Sequence, residues 1–237
     1  MKSILITGAS SGIGRATATL FLQEGWRVGL VARRAELLEE VAAGHDNATI
    51  LPADVTDADA MEQAFSRFAQ DAPHLDAVFN NAGMFGPMAP IDELALEDWH
   101  KVLAVNLTGM FITARLAFGR MRAQDPQGGR IINNGSISAH SPREGAVCYT
   151  TTKHAITGLT KSLSLDGRPF DIACGQIDIG NAESQIITDL KAQNPAMETM
   201  DVIHAAQSVL HMARLPLSAN VQSMTVIATK MPFVGRG

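Results

Sequence analysis

The stretch "ILITGASSGIGRATATL" (residues 4–20) runs from an apolar strand through a glycine-rich bend into a segment of helical period. Gly8, Gly12 and Gly14 fall at the bend. Without side chains there, a diphosphate can approach the backbone, and the new helix points its free N–H groups at the same place. A tight turn needing glycine only for its own geometry is the bland alternative. The spacing T-G-x-x-x-G-x-G, directly after a first strand and opening an apolar-periodic helix, favours the phosphate cradle. Gly8, Ser10, Ser11, Gly12, Ile13 and Gly14 are therefore the first candidate cofactor-binding residues.

The same order repeats along the chain. Apolar bursts at 3–7, 27–32, 48–54, 75–80, 129–136, 170–178 and 223–229 read as strands, several without alternation, as in strands covered on both faces. Helical patterns lie between them near 13–24, 34–43, 57–70, 97–123, 150–166 and 199–213. This alternation predicts an α/β fold: one doubly wound Rossmann-type domain over residues 1–237, its parallel sheet flanked by helices on both faces. No linker divides the chain, so the substrate pocket must come from loops beyond the carboxyl ends of the strands. The least regular of these, "NAESQIITDLKAQNPAMETM" (181–200), is the expected lid.

Composition narrows the partners. Of 237 residues, 46% are hydrophobic and 18% charged, as in soluble globular chains. The net charge of −5 and the lack of a basic block argue against nucleic acid. Cys148 and Cys174 form neither a disulfide framework nor a zinc pattern, and the scattered histidines suggest no metal. No apolar run approaches the ~20 residues of a membrane span, and Gly8 interrupts the first one too early for a signal peptide. A cytoplasmic, reducing setting is expected.

Two local features bear on chemistry. The second strand ends in "VARRAE", with Ala32 where an NAD-binding unit carries an acid for the ribose 2′-hydroxyl, followed by Arg33 and Arg34. Guanidinium groups there suit a 2′-phosphate, which favours NADP over NAD; the bland reading is a pair of solvated arginines at a helix start. In "YTTTK" (149–153), Tyr149 and Lys153 stand four apart and share a helix face. That is either a surface pair or a way to make a phenol reactive.

Six stretches together resemble the short-chain dehydrogenase/reductase family in order and spacing: "TGASSGIG" (7–14), "DVT" (54–56), "NNAG" (80–83), "VNLTG" (105–109), "NGSIS" (134–138) and "YTTTK" (149–153). The resemblance implies a general acid/base at Tyr149, with Lys153 favouring its phenolate and binding the nicotinamide ribose. It implies that Ser136, thirteen residues before Tyr149, bonds the reacting oxygen, and that Asn106 positions a relay water. Asp54, with Val55 beside it, would meet the adenine, and Asn80 to Gly83 (Asn81, Ala82 and Gly83 above all) would line the adenine-ribose side. Gly180 and Ser184 would lie at the nicotinamide. The chain departs from the family at Ile179, which replaces a proline, and at Ser184, which replaces a threonine. Its ending "TKMPFVGRG" (229–237) is not the glycine-rich one usual in the family.

The implied activity is NADP(H)-dependent interconversion of a small carbonyl compound and an alcohol. A non-catalytic dinucleotide-binding regulatory or scaffold protein on the same fold is the alternative, but it has no need of Asn, Ser, Tyr and Lys in register. Met84, Phe85, His140, Arg143 and Glu144 are candidate pocket residues pointing to no single substrate. Segment 97–123 is apolar nearly all round, so it needs burial on two sides. Like members of the family it resembles, the chain is expected to pair this helix with a second copy, as a homodimer or homotetramer.

Overall fold

The computed structural model describes residues 1–184, Ile187, Lys191 and 197–234. Seven parallel strands form one sheet: β1 (Ser3–Thr7), β2 (Arg27–Ala32), β3 (Ala48–Pro52), β4 (Ala77–Asn80), β5 (Gly129–Asn134), β6 (Ile172–Gly180) and β7 (Ser223–Ile227). Their order is β3-β2-β1-β4-β5-β6-β7, so the winding reverses between β1 and β4. Helices α1 (Gly12–Gln23), α2 (Ala35–Ala42), α3 (Ala58–Asp71), α4 (Leu96–Leu103), α5 (Gly109–Ala123), α6 (Val147–Asp166) and α7 (Val202–Arg214) connect them.

The unbroken apolar run of β1 has a physical cause. Ile4 and Ile6 pack into one core with Phe21 of α1, Leu38 of α2 and Val209 of α7. Leu5, between them, faces the opposite core with Met61, Phe65 and Phe68 of α3 and Met121 of α5. Both faces are covered, so alternation would put a polar group into one of two cores. Each fully buried large side chain stabilises by about 2 kcal/mol relative to exposure.

The 97–123 helix is not continuous α-helix. A π-helical turn (Ala104–Thr108) separates α4 from α5 and buries Asn106 completely. Val102, Met110, Ala114, Ala117 and Met121 face inward. Leu103, Val105, Leu107, Ile112, Leu116 and Phe118 are only partly covered, and Phe111 is 51% exposed. Length and apolar content alone would let Leu96–Ala123 cross a membrane; its inward face packs on the sheet and leaves a second apolar face open.

Candidate active site

A cleft of about 840 Å³ opens above the carboxyl ends of β1, β4, β5 and β6, where the strand order reverses. Its floor is the first turn. Gly8 (φ 69°) and Gly12 (φ 51°) occupy left-handed backbone that a side chain disfavours. A Cβ on Gly14 would collide with the Gly8 carbonyl oxygen. Ser11 caps α1 without a side-chain bond, so the opening N–H groups face the cleft uncapped. Thr7, which sequence reasoning did not assign, stitches the crevice together. Its Oγ1 accepts from the Asn81 and Ala82 N–H groups at 2.9 and 3.0 Å, and its carbonyl accepts from Asn81 Nδ2 at 2.9 Å.

At the end of β2, Arg34 Nη2 donates to Ser10 Oγ at 3.5 Å, which joins the arginine pair to the glycine turn. Arg33 is largely exposed, 3.9 Å from Asp54. Burial works against the Asp54 charge, but bonds from the Thr56 N–H and hydroxyl, with Arg33, outweigh it and hold the carboxyl below its usual range. Glycine cradle and open helix N-terminus fit the diphosphate of a dinucleotide.

On the opposite side of the cleft, Ser136, Tyr149 and Lys153 come together. The Tyr149 ring lies in the cleft wall beside Ser136, and Phe85 packs on it at 4.7 Å between centroids. Lys153, buried, donates to the Asn134 carbonyl at 2.7 Å and lies 5.4 Å from the Tyr149 ring centre. Burial holds the phenol above its ordinary value. The Ser136 bond and the Arg143 charge oppose this, and the Asp178 carboxylate adds to it. The groups pulling Tyr149 down are thus Ser136 and Arg143 rather than the expected Lys153. Burial drives the Lys153 ammonium down to about 8, against the pull of Asp178. The Asn106 side chain is fully engaged: it accepts from Met84 N–H and donates to the Met84 carbonyl, both at 2.8 Å, and to Thr152 Oγ1 at 3.2 Å. It locks the β4 loop to α6.

Several expectations are revised. The Asn80 side chain does not line the cleft; it is buried, bonding the Met110 carbonyl and Asn133. Val55 packs into the core, where a Cβ on Gly109 would meet it at 2.7 Å. A Cβ at Gly180 would meet Ile227, Met231 and Ile137 within 3.2 Å, so packing accounts for this glycine, and Ile179 lines the cleft instead. Gly83 and Ser184 line the cleft, with Ser184 against Gly12. Much of the expected 181–200 lid lies outside the described residues; its described ends are joined where Ala182 bridges to Met200, and Ile187 reaches the cleft. Among the described residues no cluster suited to a metal occurs.

Sequence reasoning also missed Asp178. This carboxylate has no exposed surface, accepts from Ser136 N–H at 2.9 Å and Gln176 Nε2 at 2.7 Å, and lies 2.8 Å from His140 Nε2. A lone acid inside the buried run "IACGQIDIG" (172–180) was the available signal.

Comparison with known proteins agrees with this architecture. A 3beta-hydroxysteroid dehydrogenase of Mediterraneibacter gnavus is 34% identical over 180 residues; the match covers 74% of this chain and 64% of that relative's length. A serine 3-dehydrogenase of Agrobacterium fabrum is 31% identical over 98% of this chain and 96% of its own. A closed serine dehydrogenase complexed with NADP+ superposes with a TM-score of 0.87 at 25% identity, covering 94% of each chain. A 3-ketoacyl-(acyl-carrier-protein) reductase of Brucella melitensis complexed with NADH shares the fold, with a TM-score of 0.87 at 23% identity over 95% of this chain and 96% of that one. The short chain dehydrogenase family profile matches residues 2–195. The chain belongs to the short chain dehydrogenase family, and it is an oxidoreductase.

Proposed function

We propose that this oxidoreductase interconverts a carbonyl compound and an alcohol with NADP(H), with cofactor and substrate sites built on its one sheet. The observation that carries the reading is the meeting of Ser136, Tyr149 and Lys153 in the cleft whose floor is the glycine cradle. When bound, the nicotinamide supplies or accepts the hydride. The turn Gly8–Gly14 holds the diphosphate through its backbone, Arg33 and Arg34 hold the 2′-phosphate, and Asp54 meets the adenine. Asn81, Ala82 and Gly83 form the wall between the two ends.

Ser136 Oγ bonds the substrate oxygen, and Tyr149 gives that oxygen a proton in reduction or takes one in oxidation. Burial keeps Tyr149 protonated at neutral pH, so it is poised as a general acid. Lys153 keeps a positive charge beneath the phenol, and Asn106 fixes the loop and helix on either side. The half-covered face around Phe111 is closed by the same face of a second copy.

A screen of aldehydes, ketones and alcohols with NADPH and NADH, followed at the reduced nicotinamide absorbance, tests the activity. Turnover with NADPH preferred is expected. Tight cofactor binding with no turnover on any of them would favour the regulatory reading.

A further inference from the structure

Asp178 stands between Ile177 and Ile179 at the end of β6 with no exposed surface. A buried carboxylate costs several kcal/mol unless it is bonded and paired. Here the partners are built in. Oδ1 takes the Ser136 N–H and Gln176 Nε2, and Oδ2 faces His140 Nε2, whose ring reaches solvent. A Cβ on Gly135 would collide with Oδ1, so the backbone between β5 and Ser136 leaves room for this group. An amide or a serine would satisfy the Ser136 N–H equally well without a buried charge.

Asp178 and Lys153 hold the same three-residue stretch from opposite groups: the Ser136 N–H donates to Asp178 and the Asn134 carbonyl accepts from Lys153. Burial pushes the Lys153 ammonium toward its neutral form, and Asp178 is the group that opposes this. The other charged and titratable groups around the pair are His140 behind Asp178, Arg143 on the loop before α6, and Asp98 and Lys101 of α4 across the cleft.

We propose that Asp178, oriented by His140, is a positioning residue: it fixes the Ser136 backbone beside Tyr149 and supplies the buried negative charge that keeps Lys153 an ammonium. This rests on the oxidoreductase reading for its catalytic meaning, but its test does not need a substrate.

Asp178→Asn removes the charge and keeps the shape. Its oxygen still accepts from Ser136 and Gln176, and its amide can donate to His140 Nε2. Lys153 is read by carbon NMR of protein carrying labelled lysine, assigned with Lys153→Met. The expected result is a titration midpoint lower by about one pH unit in Asp178→Asn, with cofactor affinity preserved and Asp178→Glu close to wild type. The sign is diagnostic, because a loosened, wetter site would move the midpoint upward. An unchanged or raised midpoint in a folded Asp178→Asn protein overturns the proposal. If that variant does not fold, Asp178→Ser, which keeps an oxygen for the Ser136 N–H, carries the same expectation and the same refutation. A lowered midpoint in a protein without any turnover would leave this electrostatic role standing while the activity itself fell.

Discussion

Lys153→Met should make this protein more stable while abolishing its turnover. Lys153 is 3% exposed, and burial lowers its ammonium from 10.5 to about 8. Holding the charge at neutral pH therefore costs about 3 kcal/mol relative to the unfolded chain. Methionine fills nearly the same volume without the charge, but it gives up the bond to the Asn134 carbonyl, worth about 1 kcal/mol. The expected net gain is about 2 kcal/mol at pH 7, or roughly 4–8 °C in melting temperature for a chain of this size. The pH dependence supplies the sign. Between about 8 and 10.5 the unfolded chain holds the Lys153 proton more tightly than the native state, so wild-type stability rises with pH through that window. The variant has no such gain, and its advantage should shrink toward zero by pH 10. Urea unfolding of both proteins at several pH values measures this. A variant less stable than wild type at pH 7, or a difference that stays flat up to pH 10, would refute the reasoning. The lost turnover would mark Lys153 as stability given up for function.

Two further outcomes follow from other parts of the molecule. Arg33→Ala should weaken NADPH by roughly fivefold and leave NADH nearly unchanged, because an exposed guanidinium contributes only about 1 kcal/mol; equal affinities for both cofactors in wild type would contradict this. Phe111→Glu puts a charge on the open apolar face of α5. Sedimentation should show wild type as a dimer or tetramer and the variant as a monomer, and a monomeric wild type would remove the pairing.

What could be read from the residues was whatever the backbone signals locally. The β1–α1 turn was legible because its glycines serve their own backbone, and the strands because both their faces are apolar. Helix α6 begins at Val147 rather than near 150, and its cap, Ala146, has no side-chain bond that could announce it. Strand β6 runs two residues later than expected, since Arg168–Phe170 form a short 3-10 turn and Ile179 and Gly180 pair with Val226 and Ile227. The site residues whose surroundings were not legible depend on distant chain. Gly180 is explained by Ile227 and Met231, and Asn106 by Met84 and Thr152, neighbours that no short motif contains. Asp178 belongs with these, because its purpose appears only when β6 lies beside β5 and brings it under Ser136.

The most direct test of the account replaces one oxygen atom. Tyr149→Phe keeps the ring packed against Phe85 and removes the hydroxyl beside Ser136. Cofactor binding, followed by fluorescence titration, should stay within a few-fold of wild type. Single-turnover reduction of an identified carbonyl substrate should slow by about 10²–10⁴-fold, the usual worth of a general acid. A rate within a few-fold of wild type would show that the proton comes from elsewhere and would contradict the role assigned to Tyr149.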